Sequence, residues 1–84
     1  MATLIRTSEA REYDMTMIEG VMANVGDELK AIYHGTWRIG KIEKIVANHN
    51  GTRILVNTQK GLRWLFKSEL SRVEIRSNFL VDDE

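Results

Sequence analysis

The sequence contains no cysteine. That removes disulfides and thiolate zinc sites together, so the chain must hold its fold by packing alone. No stretch approaches the roughly 20 apolar residues of a membrane span, and the opening MATLIRTSEAR lacks the apolar centre of a secretory signal. The expectation is a soluble, cytoplasmic chain with no membrane contact. Histidine is scarce: His34 and His49 have no cysteine nearby and no second histidine four residues away, so each reads as a turn residue and no metal site is expected. The six glycines are scattered singly, which rules out a glycine-rich phosphate loop. Ser68 and Ser71 have no neighbouring histidine to activate them. No catalytic group and no cofactor is expected, and the chain reads as a non-catalytic binding module.

With 84 residues, one domain of modest core is available. The 12 basic and 12 acidic side chains cancel, but they are segregated along the chain. In residues 1–29, Arg6 and Arg11 stand against Glu9, Glu12, Asp14, Glu19, Asp27 and Glu28, a net of −4. In residues 30–76, ten basic residues face only Glu43, Glu69 and Glu74, a net of +7. Asp82, Asp83 and Glu84 give the tail −3. The pattern divides the chain into an N-terminal arm and helix (1–24), a basic body (25–76) and an acidic tail (77–84).

Met1 to Thr7 shows no clear period and reads as an arm or short edge strand. From Ser8 the spacing becomes helical: Ala10, Tyr13, Met17, Ile18, Val21 and Met22 fall on one face of a 3.6-residue period. Ser8 would cap that helix, with Glu9 and Glu12 in its first turn. Tyr13, Met15 and Met17 also alternate, as in a strand, but helix matches more positions. The stripe would pack over an open end of the body or, with Met15, Met17 and Met22, serve as an adaptable partner surface.

From Val25 onward the period shortens to two. Strands are expected at about 28–33, 37–47, 53–58, 62–66 and 72–75, separated by the turn-forming pairs His34-Gly35, Asn50-Gly51 and Lys60-Gly61. Asn50-Gly51 gives the strongest hairpin signal, because both residues accept positive φ. Gly40 is the expected site of a bulge or bend. Lys67-Ser68-Glu69-Leu70 reads as one helical turn before the last strand.

The run VGDELKAIYHGTWRIGKIEKI, followed by RILV and KSEL, resembles the Tudor branch of the Src-homology-3-like small barrels over residues 25–75. A glycine-acid turn precedes the first strand, a gly-x-trp turn enters the second, and a serine-x-leucine turn precedes the last. The resemblance implies a mainly β fold, a small five-stranded barrel over residues 25–75; it says nothing of residues 1–24, so the N-terminal amphipathic helix added to that barrel rests on spacing alone. It also implies a binding role, with ligands ranging from methylated lysine or arginine tails through proline-rich peptides to nucleic acid. Tyr33 and Trp37 match two aromatic positions of the methyl-reader pattern, but Arg38 and Lys60 stand where aromatics complete the cage. Two cations there would repel a methylammonium group.

Arg38, Lys41, Lys44, Arg53, Lys60 and Arg63 are the candidate nucleic-acid contacts, since cations from adjacent strands sum their fields at a phosphate backbone. Lys67 and Arg72 lie close behind them in sequence. Taken singly, each reads as a solvated charge; taken as a set, they read as a surface that a small regulator uses on DNA or RNA. Tyr33, Trp37 and Trp64 are the candidate partner-binding aromatics, with stacking on an unpaired base open to whichever tryptophan faces water. The alternative is a protein-interaction adaptor or inhibitor, for example of a host transcription or nucleic-acid-handling protein. It would use the helix stripe or the aromatic face, as monomer or homodimer, without touching nucleic acid. The acidic ends either solubilise the chain or fold over the basic body and compete with its ligand.

Overall fold

The computed structural model describes residues 10–77. The arm expected at Met1 to Thr7 and the acids at 82–84 lie outside the described residues. Eight strands follow in order: β1 (Arg11–Tyr13), β2 (Met15–Ile18), β3 (Val21–Asn24), β4 (Glu28–Tyr33), β5 (Thr36–Asn48), β6 (Gly51–Thr58), β7 (Gly61–Phe66) and β8 (Leu70–Arg76). A single 3-10 turn, Lys67–Glu69, precedes β8.

The expected N-terminal helix is absent among the described residues, where β1, β2 and β3 take its place; its expected cap Ser8 and first-turn Glu9 lie outside them. Glu19 (φ 50°) and Gly20 (φ 79°) form a mirror-image two-residue turn that reverses the chain, pairing Ile18 with Val21 and Thr16 with Ala23. A tight hairpin puts residues three and seven apart on one face, and that spacing imitates a helix. The true division of faces is Ile18 and Ala23 inward, both buried, with Met15, Met17 and Met22 outward and exposed.

The main sheet runs β7-β6-β5-β4-β8, all antiparallel, and β1 joins it on β5. The long β5 is its spine. One edge of β5 carries β6 along residues 40–48, and the other carries β4 along residues 36–41 and β1 along 45–47. Between those two partners, Gly26 N–H donates to the Ile42 carbonyl at 2.8 Å and Ile42 N–H donates to the Asp27 carbonyl at 2.8 Å. The corner leading into β4 therefore continues the ladder. The Asp27 carboxylate is buried and accepts from Asn24 N–H (3.0 Å) and Asn24 Nδ2 (3.3 Å), which locks that corner and satisfies the charge.

The expected closed five-stranded barrel is also corrected. Among the described residues the sheet has six strands, β2 and β3 form a separate ribbon, and no ladder joins β7 to β8. The concave face and the ribbon share one core of Ile18, Ala23, Leu29, Ala31, Tyr33, Ile42, Ile45, Ile54, Val56, Leu65 and Leu70, with Val73 and Ile75 packed against it.

Gly40 is not a bulge. It pairs regularly with Leu29 and Thr58, and the pairing breaks instead between Ile42 and Lys44. Gly40 is required by close approach: a Cβ there would lie 2.4 Å from the Asn57 carbonyl oxygen and 2.8 Å from Val56 Cγ1. The Asn-Gly turn is displaced by one residue. Asn48 pairs with Gly51, leaving His49-Asn50 as the loop, and the Asn48 carboxamide accepts the Asn50 N–H at 2.8 Å.

Candidate polyanion groove

The six candidate cations fall into two groups. Arg38, Lys60 and Arg63 converge on a groove of about 300 Å³, lined also by Thr36, Trp37, Ile39, Thr58 and Gln59. The groove forms because β5 outruns its neighbour: residues 36–39 pair with β4 alone, while the β6–β7 turn at Gln59-Lys60 folds back beside them. That turn is preset by Thr58, whose hydroxyl donates to the Gly61 carbonyl (2.8 Å) and accepts the Lys60 N–H (3.1 Å).

No carboxylate lines the groove, and none of its cations is in an ion pair among the described residues. Arg38 packs its guanidinium 5.8 Å from the Tyr33 ring centroid, and its Nε is buried without a hydrogen-bond partner. Arg63 donates Nη1 to the Leu62 carbonyl at 3.0 Å, leaving further donors open. Trp37 is 46% exposed at the rim, with Lys30 Nζ 5.1 Å from its ring centroid.

Lys41, Lys44 and Arg53 are elsewhere, on the convex face of the sheet. Lys41 pairs across the ladder with Glu28, and Lys44 Nζ is 3.8 Å from Glu12 Oε2. Their field is thus partly cancelled by acids whose nearness only the pairing reveals. Arg53 lies 5.2 Å over the Trp64 ring, and Trp64 is 45% exposed between Leu62 and Phe66. Both tryptophans face water.

Tyr33 does not belong to an aromatic surface. It is a core residue at 9% exposure, its hydroxyl accepts the Phe66 N–H at 3.3 Å, and its ring stacks on His34 at 4.1 Å. His34 in turn pairs with Glu69, which ties the β4–β5 turn to the 3-10 turn. Among the described residues, no group of three or more His, Cys, Asp or Glu is placed to hold a metal ion.

Sequence reasoning did not single out Thr36, Ile39, Thr58, Gln59 and Lys30. Thr58 alone carried a local signal, since a threonine two residues before Lys60 suits a side-chain-capped turn. Comparison with protein-family models, curated proteins and solved structures finds no match to this chain.

Proposed function

We propose that the chain is a non-catalytic module that binds nucleic acid, taking backbone phosphates in the groove of Arg38, Lys60 and Arg63 while a base stacks on Trp37. The observation that carries this reading is the convergence of three cations without a neighbouring acid, beside an exposed indole. Phosphate recognition needs summed positive potential and free donors, and the groove offers both. An exposed aromatic beside a cationic track suits an unpaired strand, because stacking requires an open π face. Arg38 and Lys60 also make the groove hostile to methylammonium.

The strand order β7-β6-β5-β4-β8, with a 3-10 turn before β8, supports a Src-homology-3-like arrangement left open along one seam. On this reading the groove lies between the β4–β5 and β6–β7 turns.

The test is a salt titration of single-stranded oligonucleotide binding. Three phosphate contacts predict a slope of log affinity on log salt near −2, from about −0.7 per contact. Lys60→Glu with Arg63→Glu should weaken binding at least about tenfold, whereas Lys41→Glu with Lys44→Glu should have a smaller effect. Absence of binding at low salt, or equal sensitivity of the two pairs, overturns the proposal.

A second reading rests on the ribbon, where Met15, Met17 and Met22 form an exposed, deformable apolar face. That face gives a protein-interaction adaptor its surface without using the groove. A partner retained from nuclease-treated lysate and released by Met17→Glu favours it over the first reading.

A further inference from the structure

The structure assigns the free edge of β7 to self-association: we infer that two copies of the chain pair β7 with β7 in antiparallel register, centred on Trp64. This inference is independent of the groove. Among the described residues β7 pairs only with β6 and ends the sheet. Gly61, Arg63 and Leu65 face Thr58, Val56 and Ile54 across the hairpin. The pair closing a two-residue loop exchanges hydrogen bonds, so Gly61, Arg63 and Leu65 direct their peptide groups at β6. Leu62, Trp64 and Phe66 therefore direct theirs outward. Two contacts agree with this: Phe66 N–H reaches out to Tyr33 Oη at 3.3 Å, and the Leu62 carbonyl accepts Arg63 Nη1. The Leu62 N–H and both peptide groups of Trp64 point away from the sheet.

Edges are ordinarily guarded by charge, proline or a bulge. The opposite edge follows that rule: β8 presents Arg72, Glu74 and Arg76 at its exposed positions and breaks register with β4 between Lys30 and Ile32. β7 does not. Its convex-face side chains are Leu62, Trp64 and Phe66, exposed by 55%, 45% and 43%. The free peptide groups of Leu62 and Trp64, flanked by apolar side chains, recruit a strand of the same kind, with the Trp64 pair at its centre exchanging both of its hydrogen bonds.

The register follows from charge. Centring the two-fold axis on Arg63 would oppose two guanidinium groups directly, which is unfavourable. Centring it on Trp64 opposes Trp64 with its own copy, Leu62 with Phe66, and Arg63 with Leu65. Every convex-face pair is then apolar, and no like charges meet. A strand that is its own complement closes as a symmetric dimer rather than a filament.

Sedimentation equilibrium of the full chain over a concentration series tests the pairing. The expected result is a monomer–dimer equilibrium weakened at least about tenfold by Trp64→Lys and unchanged by Met17→Lys, a similarly exposed position on the ribbon. Circular dichroism verifies folding, and Leu62→Lys substitutes if Trp64→Lys unfolds. Because the chain has no cysteine, Trp64→Cys reports register directly. Its Cα should sit about 5.5 Å from its own copy, within the roughly 4.4–6.8 Å that a disulfide spans. Oxidation should cross-link Trp64→Cys and not Met17→Cys. A monomer at every concentration, a dimer indifferent to both β7 lysines, or cross-linking only through Met17→Cys overturns the inference.

Discussion

The main sheet and the β2–β3 ribbon are built from the same kind of element, yet they take their definition from different sources. In the sheet, β4 and β5 are joined by His34 (φ 53°) and Gly35 (φ 79°), and each strand is paired over much of its length. Local turn chemistry, alternation and pairing all agree there. The ribbon has only four paired positions and gives the core only Ile18 and Ala23 as fully buried side chains. Its outer face stays exposed. The difference shows that a short ribbon is fixed by where its few inward residues land, and that its outward residues remain free for another purpose.

That contrast can be broken most severely at Gly40. Gly40→Val should destabilise the fold by about 4 kcal/mol or more, because its side chain meets β6 backbone that cannot retreat without opening the β5–β6 ladder. Thermal or urea unfolding should show a protein largely unfolded at room temperature. Ile18→Ala should cost about 3 kcal/mol through the cavity left in the shared core. If the ribbon only rested on the sheet, the loss would stay below about 1 kcal/mol and the urea midpoint would scarcely move. Met17→Gln should change stability by less than about 0.5 kcal/mol, since its side chain packs on nothing that folding must close. A larger loss in the same urea experiment would mean that the methionine face already contributes to the fold.

The sequence made β4 to β8 legible to within two or three residues, because β4, β5 and β6 each end at a residue pair that reverses the chain and a 3-10 turn separates β7 from β8. The ribbon was misread for a physical reason. Glu19-Gly20 is as good a mirror-image turn as His34-Gly35, but the hairpin it forms repeats apolar residues at intervals shared with a helix. Tertiary burial of Ile18 and Ala23 decides between the two, and no local rule contains that burial. At Gly40 the residue type was informative, yet it signalled contact with Asn57 rather than a bend.

The groove was half legible. Arg38, Lys60 and Arg63 were among the candidate cations, but counting charges gave Lys41 and Lys44 equal weight. Only cross-strand register sets Glu28 against Lys41 and Glu12 beside Lys44. Tyr33 was misjudged because its phase along β4, shared with Leu29 and Ala31, counted for less than its aromatic character.

The seam between β7 and β8 bears on mechanics. Among the described residues β8 has a ladder along one side only, to β4, and that ladder contains a break, while Leu70, Val73 and Ile75 pack it onto the core. Force applied at the C-terminal end would load those pairs one after another, like opening a zipper, rather than all at once in shear. The end of β8 beyond the break should therefore peel first, while Leu70 stays seated in the core and the β5–β6 ladder stays intact.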